Sequence, residues 1–155
     1  MEPMPNLYTG MKIINLNNSD FLIERNKIYL SDDILNKSLS NFGYLQFYAP
    51  WCGHCRNFVN TYNDLADSSI LNGKNIISVC AYNCTQPGAD TIMEALGIEG
   101  FPTLKSFSVI TGGVKNGGGK KKYHEIKMKE YESGRSMKEM IDYACKNGKV
   151  CNFRK

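Results

Sequence analysis

The chain has 155 residues, enough for one domain with a true hydrophobic core. A hydrophobic fraction of 42% and a charged fraction of 22% are those of a globular protein and exclude intrinsic disorder. The net charge of +4 owes much to Lys120, Lys121, Lys122 and the last two residues, which is too mild and too local to imply nucleic acid. A solvated hairpin accounts for the lysine run better than an anionic-surface patch does.

In chain order, "MEPMPNLYTGMKII" has no basic region followed by an apolar run, so no signal peptide is expected there. No apolar stretch approaches the ~20 residues that span a membrane, and the final "CNFRK" is not a retention tetrapeptide. "MKIINL" (11–16) and "NKIYL" (26–30) read as strands, and "DDILNKSL" (32–39) as a short helix with Asp32 as its cap. "GYLQFYA" (43–49) is a continuous, aromatic-rich run stopped by Pro50, the pattern of a buried strand. Phe58, Tyr62 and Leu65 then recur at spacings of four and three, which predicts a helix with one apolar face.

"KNIISVCAY" (74–82) is a second central strand, and "ADTIMEALG" (89–97) a short helix with a glycine stop. "PTLKSFSVI" (102–110) is a strand behind a proline, "GGVKNGGG" (112–119) turn material, and "KKYHEI" (121–126) the returning strand. Ser136 and Glu139 form a capping box for a last helix over 136–148, with Asn147 and Gly148 as its stop. Alternating strands and helices predict an α/β fold, a central mixed sheet flanked by helices on both faces. The strands over 43–49 and 74–82, joined by a helix, should be parallel neighbours.

The chemistry centres on "APWCGHC", where a strand meets a helix. Cys52 falls at the helix start, where unpaired amides and the positive end of the dipole stabilise a thiolate. Pro50 and Gly53 should permit the sharp turn, and Cys55 lies one turn on. In such pairs the first thiol has a pKa depressed to about 3.5–7.5 and both attacks and leaves disulfides readily. His54 should donate charge or a hydrogen bond to Cys52, stabilising the dithiol and making the disulfide more oxidising. Trp51 should offer an apolar rim.

These residues carry a resemblance. "FYAPWCGHC" resembles the active-site motif of the protein disulfide isomerase family, within the thioredoxin fold. "GIEGFPTLKSF" (97–107) resembles that family's cis-proline segment, and "YESGRSMKEMIDY" (131–143) its Tyr-x-x-Gly-Arg segment. The likeness runs over 42–146 as the core of a single 1–155 domain. Residues 1–41 diverge and are long enough to add a hairpin, and 147–155 form a tail. The resemblance implies roles. Cys52 would be the nucleophile and Cys55 the resolving thiol. Pro102, in cis after Phe101, would pack on the dithiol and leave the preceding carbonyl and amide for substrate backbone. Phe101 would line the groove, and Arg135 would swing toward Cys55 and lower its pKa.

One position departs from the pattern. The family usually has a buried glutamate where Gln46 stands, as proton acceptor for the resolving thiol, and a lysine partner where Ala81 stands. An amide cannot accept that proton at neutral pH. Either Cys55 deprotonates slowly here, prolonging mixed disulfides, or Gln46 simply fills a polar slot and solvent moves the proton.

The other cysteines are less suggestive. Cys80 and Cys84, ~13 Å apart if extended, cannot bridge each other and read as buried structural thiols. Cys145 and Cys151 read as two thiols, with a local disulfide as the alternative. Cys52, Cys55, Cys80 and Cys84 loosely resemble a four-thiolate zinc site, but their spacing and the α/β context favour redox chemistry. Neither metal nor cofactor is expected. Haem attachment is excluded because Arg56 follows Cys55, and His124 reads as a surface residue.

The sequence therefore points to a thiol–disulfide oxidoreductase and isomerase acting on cysteine-containing unfolded or misfolded proteins. Its redox partner would be glutathione or a sulfhydryl oxidase. The family resemblance implies the endoplasmic reticulum or another oxidising compartment. The absence of a visible leader leaves a cytoplasmic or virion-associated location open. Two alternatives remain: a thioredoxin-like reductase, and a client-binding module with weak turnover. Potentials of roughly −270 mV for thioredoxin and −180 mV for disulfide isomerase separate reductant from oxidant, and Gly53–His54 lean to the second.

Overall fold

A computed structural model describes residues 1–153; residues 154 and 155, which carry part of the positive charge, lie outside it. The elements are β1 (Ile14–Leu16), β2 (Phe21–Glu24), β3 (Lys27–Ser31), α1 (Asp32–Leu35), β4 (Phe42–Tyr48), α2 (Gly53–Ser68), β5 (Ile70–Leu71) and β6 (Lys74–Asn75). They continue as β7 (Ser78–Asn83), α3 (Ala89–Leu96), β8 (Thr103–Asn116), β9 (Lys122–Glu130) and α4 (Met137–Gly148). Seven strands form one sheet in the order β1-β7-β4-β8-β9-β3-β2, and β5 and β6 pair separately. As expected, β4 and β7 are parallel neighbours, and β8 runs antiparallel on the other side of β4.

Every residue of β4 is buried, because helices cover both faces. Side-chain alternation splits the strand. Phe42, Tyr44 and Tyr48 enter one core with Phe58, Tyr62 and Leu65 of α2 and Met140 and Ala144 of α4. Leu45 and Phe47 enter the other with Ile34 of α1 and Ala89 and Ile92 of α3. The mixed sheet flanked on both faces is thus present, and burial of each large side chain contributes roughly 1.5–3 kcal/mol.

Several local expectations need correction. Asp32 is not the cap of α1. Ser31 holds that position, α1 stops at Leu35, and Asp32 Oδ1 pairs with His124 Nε2 at 2.7 Å instead. The run 74–82 is not one strand. Asn72 and Gly73, both at positive φ (54° and 76°), turn the chain from β5 into β6 before β7 begins. An Asn-Gly pair is the strongest short hairpin signal; it draws Lys74 and Asn75 back onto β5, and Ile76 and Ile77 separate them from β7. The glycine-rich stretch is not all turn. β8 continues to Asn116 through a register shift between Val109 and Val114, with Gly112 at φ 80°, the signature of a bulge. At the chain's end Ser136 does cap α4, accepting from Glu139 N at 3.1 Å, but Lys149 rather than Gly148 adopts the left-handed stop. Gly148 stays helical, and its lack of a side chain lets the Phe42 ring pack where a Cβ would stand.

Residues 1–41 do add a hairpin. β2 and β3 pair antiparallel, and β3 joins the sheet through β9. The hairpin extends the sheet at the edge far from β1.

Candidate active site

β4 ends at Tyr48, and the next four residues turn into α2. Cys52 N donates to Ala49 O at 3.0 Å, closing the turn, and Cys52 becomes the N-cap of α2. Its Sγ accepts from Cys55 N at 3.4 Å, the use of an orphan helix amide that the sequence suggests. The same sulfur donates to Phe101 O at 3.6 Å, across the cis Phe101–Pro102 bond. A cis bond before proline is therefore present where the resemblance implied it.

Gly53 is not required by the turn. It lies outside the left-handed region, and a Cβ on it would meet nothing within 4 Å. Its effect is to leave the space beside Cys52 open. His54 is exposed, and it supports Cys52 through its backbone amide.

The two thiols have opposite electrostatics. Burial opposes ionisation of Cys52, but hydrogen bonds from the Cys55 thiol and from the amides of Cys55 and His54, together with the charge of Arg135, bring its pKa below the ordinary thiol value. Burial pushes the Cys55 thiol up to about 12, aided by Cys52 and opposed by the Ala49 backbone and Arg135. Cys52 is 9% exposed and Cys55 0%, so the first thiol sits at the rim and the second is sealed. Cys52 is less open than the sequence suggests, because Phe101 and Trp51 flank it.

Trp51 is 53% exposed and meets Phe101 edge-to-face at 5.8 Å between centroids. Together they form an apolar rim. Arg135 donates from Nη2 to Pro102 O at 3.4 Å, held there by a segment that starts with Tyr131 N on Leu104 O at 2.9 Å. The guanidinium thus lies against the proline segment and acts on both thiols through its charge.

Gln46 is fully buried on the Cys55 side of β4, with Ala81 beside it on β7 and Leu104 on β8. Gln46 Nε2 donates to Tyr8 Oη at 2.8 Å. Sequence reading missed Tyr8. A lone tyrosine in a Pro- and Asn-rich lead has no periodic or motif signal, and only the pairing with Gln46 singles it out. Cys80 and Cys84 are buried, as expected of structural thiols.

Comparison with known proteins agrees with this geometry. Residues 28–131, about two thirds of the chain, match the family model described as Thioredoxin. The chain is similar to "Protein disulfide-isomerase 1" of Dictyostelium discoideum, 31% identical over 106 residues, covering 68% of this chain and 25% of that protein. It is also similar to "Protein disulfide-isomerase A6" of Mus musculus, 27% identical over 143 residues, covering 85% of this chain and 28% of that protein. The chain therefore spans about a quarter of the length of these relatives. The crystal structure of human ERp44 form I superposes with a TM-score of 0.59 at 22% identity, covering 89% of this chain and 30% of that one, a likeness of fold. Strand order, the cis-proline facing the Cys52–Cys55 turn and the family match lead to one conclusion: the chain belongs to the thioredoxin family.

Proposed function

We propose that the chain, as one domain, is a thiol–disulfide oxidoreductase of the protein disulfide isomerase type. The observation that carries this reading is the divided pair: a rim thiol with a depressed pKa on the helix N-cap, and a sealed partner held protonated. The Cys52 thiolate attacks one sulfur of a substrate disulfide. A bond forms between Cys52 Sγ and that sulfur, and the other substrate sulfur leaves as a thiolate and takes a proton. Cys55 then loses its proton and attacks Cys52 Sγ. The second substrate thiol is released, and the substrate has gained the two electrons that the Cys52–Cys55 pair has lost. Run backwards, the same steps place a disulfide in a dithiol client, and returning it elsewhere is isomerisation.

The Trp51–Phe101 rim would hold the apolar segments of cysteine-containing unfolded or misfolded clients. After a client has been oxidised, oxidised glutathione or a sulfhydryl oxidase would take the two electrons and restore the Cys52–Cys55 disulfide. Names of the relatives support an isomerase over a plain reductase, and with it an oxidising compartment such as the endoplasmic reticulum. Among the described residues no helix is long and apolar enough to cross a membrane. Refolding of scrambled ribonuclease and reduction of insulin, each with a measured reduction potential, test the reading. A potential near −180 mV with ribonuclease refolding is expected, whereas one near −270 mV without it would make the chain a reductase.

Gln46 bears on the rate. A carboxylate can take the Cys55 proton and an amide cannot. Gln46→Glu is therefore expected to hasten release of substrate from Cys52, about a hundredfold at neutral pH, the lower end for one proton-transfer group. Unchanged release would assign the proton to solvent and Gln46 to the slot alone.

A further inference from the structure

Three observations meet at Gln46. Its Nε2 donates to Tyr8 Oη, while its Oε1 is buried with no partner among the described residues. Tyr8 is itself fully buried, edge-on to Tyr48 at 5.4 Å and tilted on Tyr62 at 5.8 Å, within the core that seals Cys55. The segment that brings Tyr8 there is fastened to the ends of β4 and β7. Met4 N donates to Thr85 Oγ1 at 2.9 Å, Asn83 Nδ2 to Met4 O at 2.8 Å, and Leu7 N to Tyr48 Oη at 3.1 Å.

A buried acceptor without a donor costs roughly 1–3 kcal/mol, so the Oε1 end calls for a proton-bearing partner. The titrating proton of this core belongs to Cys55. The electrostatics register the proximity: burial raises the Tyr8 pKa first, Gln46 opposes it, and both Tyr48 and Cys55 add to it. Tyr8 cannot serve as a base.

We propose that Tyr8 is the positioning residue of the resolving step, acting through Gln46. A phenol hydroxyl both donates and accepts, so it satisfies either end of the amide. While Cys55 carries its proton, Nε2 rests on Tyr8 Oη and Oε1 faces the thiol side of the core through one water. When Cys55 gives up its proton to solvent, the amide turns over. Tyr8 O–H then donates to Oε1, and Nε2 donates to the bridging water, which donates to the thiolate. No covalent bond changes in the pair. Hydrogen bonding to the charged form favours it, so Tyr8 lowers the barrier to Cys55 attack. With an apolar ring at position 8, the turned amide would press an unsatisfied oxygen on that ring, and the thiolate would lose its donor.

This inference rests on the proposed exchange reaction, and its test separates the two. The mixed disulfide between Cys52 and glutathione is formed, and release of glutathione by Cys55 is followed from pH 6 to pH 10 in the parent, Tyr8→Phe, Gln46→Leu and the double variant. Tyr8→Phe is expected to slow release about fivefold, the size of one net hydrogen bond, and to move the pH profile to higher pH. In the Gln46→Leu background Tyr8→Phe is expected to add nothing, because its route is gone. An unmoved pH profile, faster release, or the full effect persisting without Gln46 would overturn the role of Tyr8. A parent that releases no glutathione at any pH would overturn the exchange reaction itself, and the positioning role with it. Should Tyr8→Phe fail to fold, the Gln46 side-chain NH2 resonances of ¹⁵N-labelled Cys52→Ser protein decide. They are expected to move with the titration of Cys55, and resonances that stay fixed would overturn the proposal.

Discussion

Two parallel neighbours, β4 and β7, end on the same side of the sheet, and each leads into cysteine. β4 runs into Cys52 and Cys55; β7 contains Cys80 and is followed by Cys84. All four thiols are buried, yet only one is made acidic. Cys80 faces the core of α1 and α3, where burial, with Asp20 adding to it and Lys37 opposing it, drives its pKa up. Cys84 is pushed up to about 12 by burial, against a hydrogen bond from the Tyr48 backbone. Cys52 differs in the backbone on its C-terminal side. The next sixteen residues are a helix, whose first amides have no carbonyl to bind and turn to the sulfur. Reactivity here is a property of the backbone behind the thiol rather than of burial or of being a cysteine.

The largest expected effect breaks the comparison at its active member. Cys52→Ser should abolish insulin reduction and ribonuclease refolding, by more than about 10³-fold, since Cys52 is the thiol that stands on the helix N-cap at the rim with its pKa lowered. Retained turnover would mean that a second cysteine carries the chemistry.

The pH dependence sharpens it next. In folded, reduced protein, iodoacetamide should label Cys52 and spare Cys55, Cys80 and Cys84, which react once the chain is unfolded. The folded-state pKa of Cys52 lies below its unfolded value. The stability drawn from its thiolate is therefore complete above the ordinary thiol pKa, and it is lost as pH falls through the depressed folded value. Labelling should fade over the same window. Cys55, raised to about 12, has the opposite sign. Its preference for the folded state holds below the ordinary thiol value and is lost as pH climbs toward 12. Mass spectrometry of labelled peptides checks both, and equal labelling of Cys52 and Cys55 at pH 7 would erase the distinction.

At the inactive member the effect should be purely structural. Cys80→Ala removes one buried atom from the second core and should cost about 1 kcal/mol in chemical denaturation, as small core truncations do, with exchange rates unchanged.

The same contrast shows what was legible in the sequence. β4, α2 and the Cys52–Cys55 pair announce themselves, because an apolar run, a proline and a helical period succeed one another in one stretch. The cis Phe101–Pro102 segment and Arg135 were legible by motif, and the structure sets both beside the pair. Tyr8 was not legible. Its partner is 38 residues away, and nothing local distinguishes a tyrosine that will bond a buried amide from any other. The β2–β3 edge was half-visible, and the break at Ile76–Ile77 was hidden because the Asn72–Gly73 turn that pairs β6 with β5 lies just ahead of an unbroken apolar run. Asp32 was misplaced by one residue because both Ser31 and Asp32 are good caps and local pattern cannot choose between them.

The smallest expected effect concerns Gly53, where motif and geometry disagree. Its place between the cysteines suggests a turn that only glycine can make. The backbone there is outside the left-handed region, and an added methyl would touch nothing within 4 Å, so alanine needs no strain. Replacing glycine by alanine at a compatible helical position also restricts the unfolded chain, worth about 0.4–1 kcal/mol. Gly53→Ala should therefore leave the folded state intact and raise the melting temperature by a few degrees. It should slow exchange by less than about threefold, an effect confined to the approach of bulky clients. Small disulfides such as oxidised glutathione should react at the parent rate. A lowered melting temperature would show that the turn needs glycine after all. Equal slowing with small and large disulfides would show that the methyl acts on the Cys52 thiolate rather than on the rim.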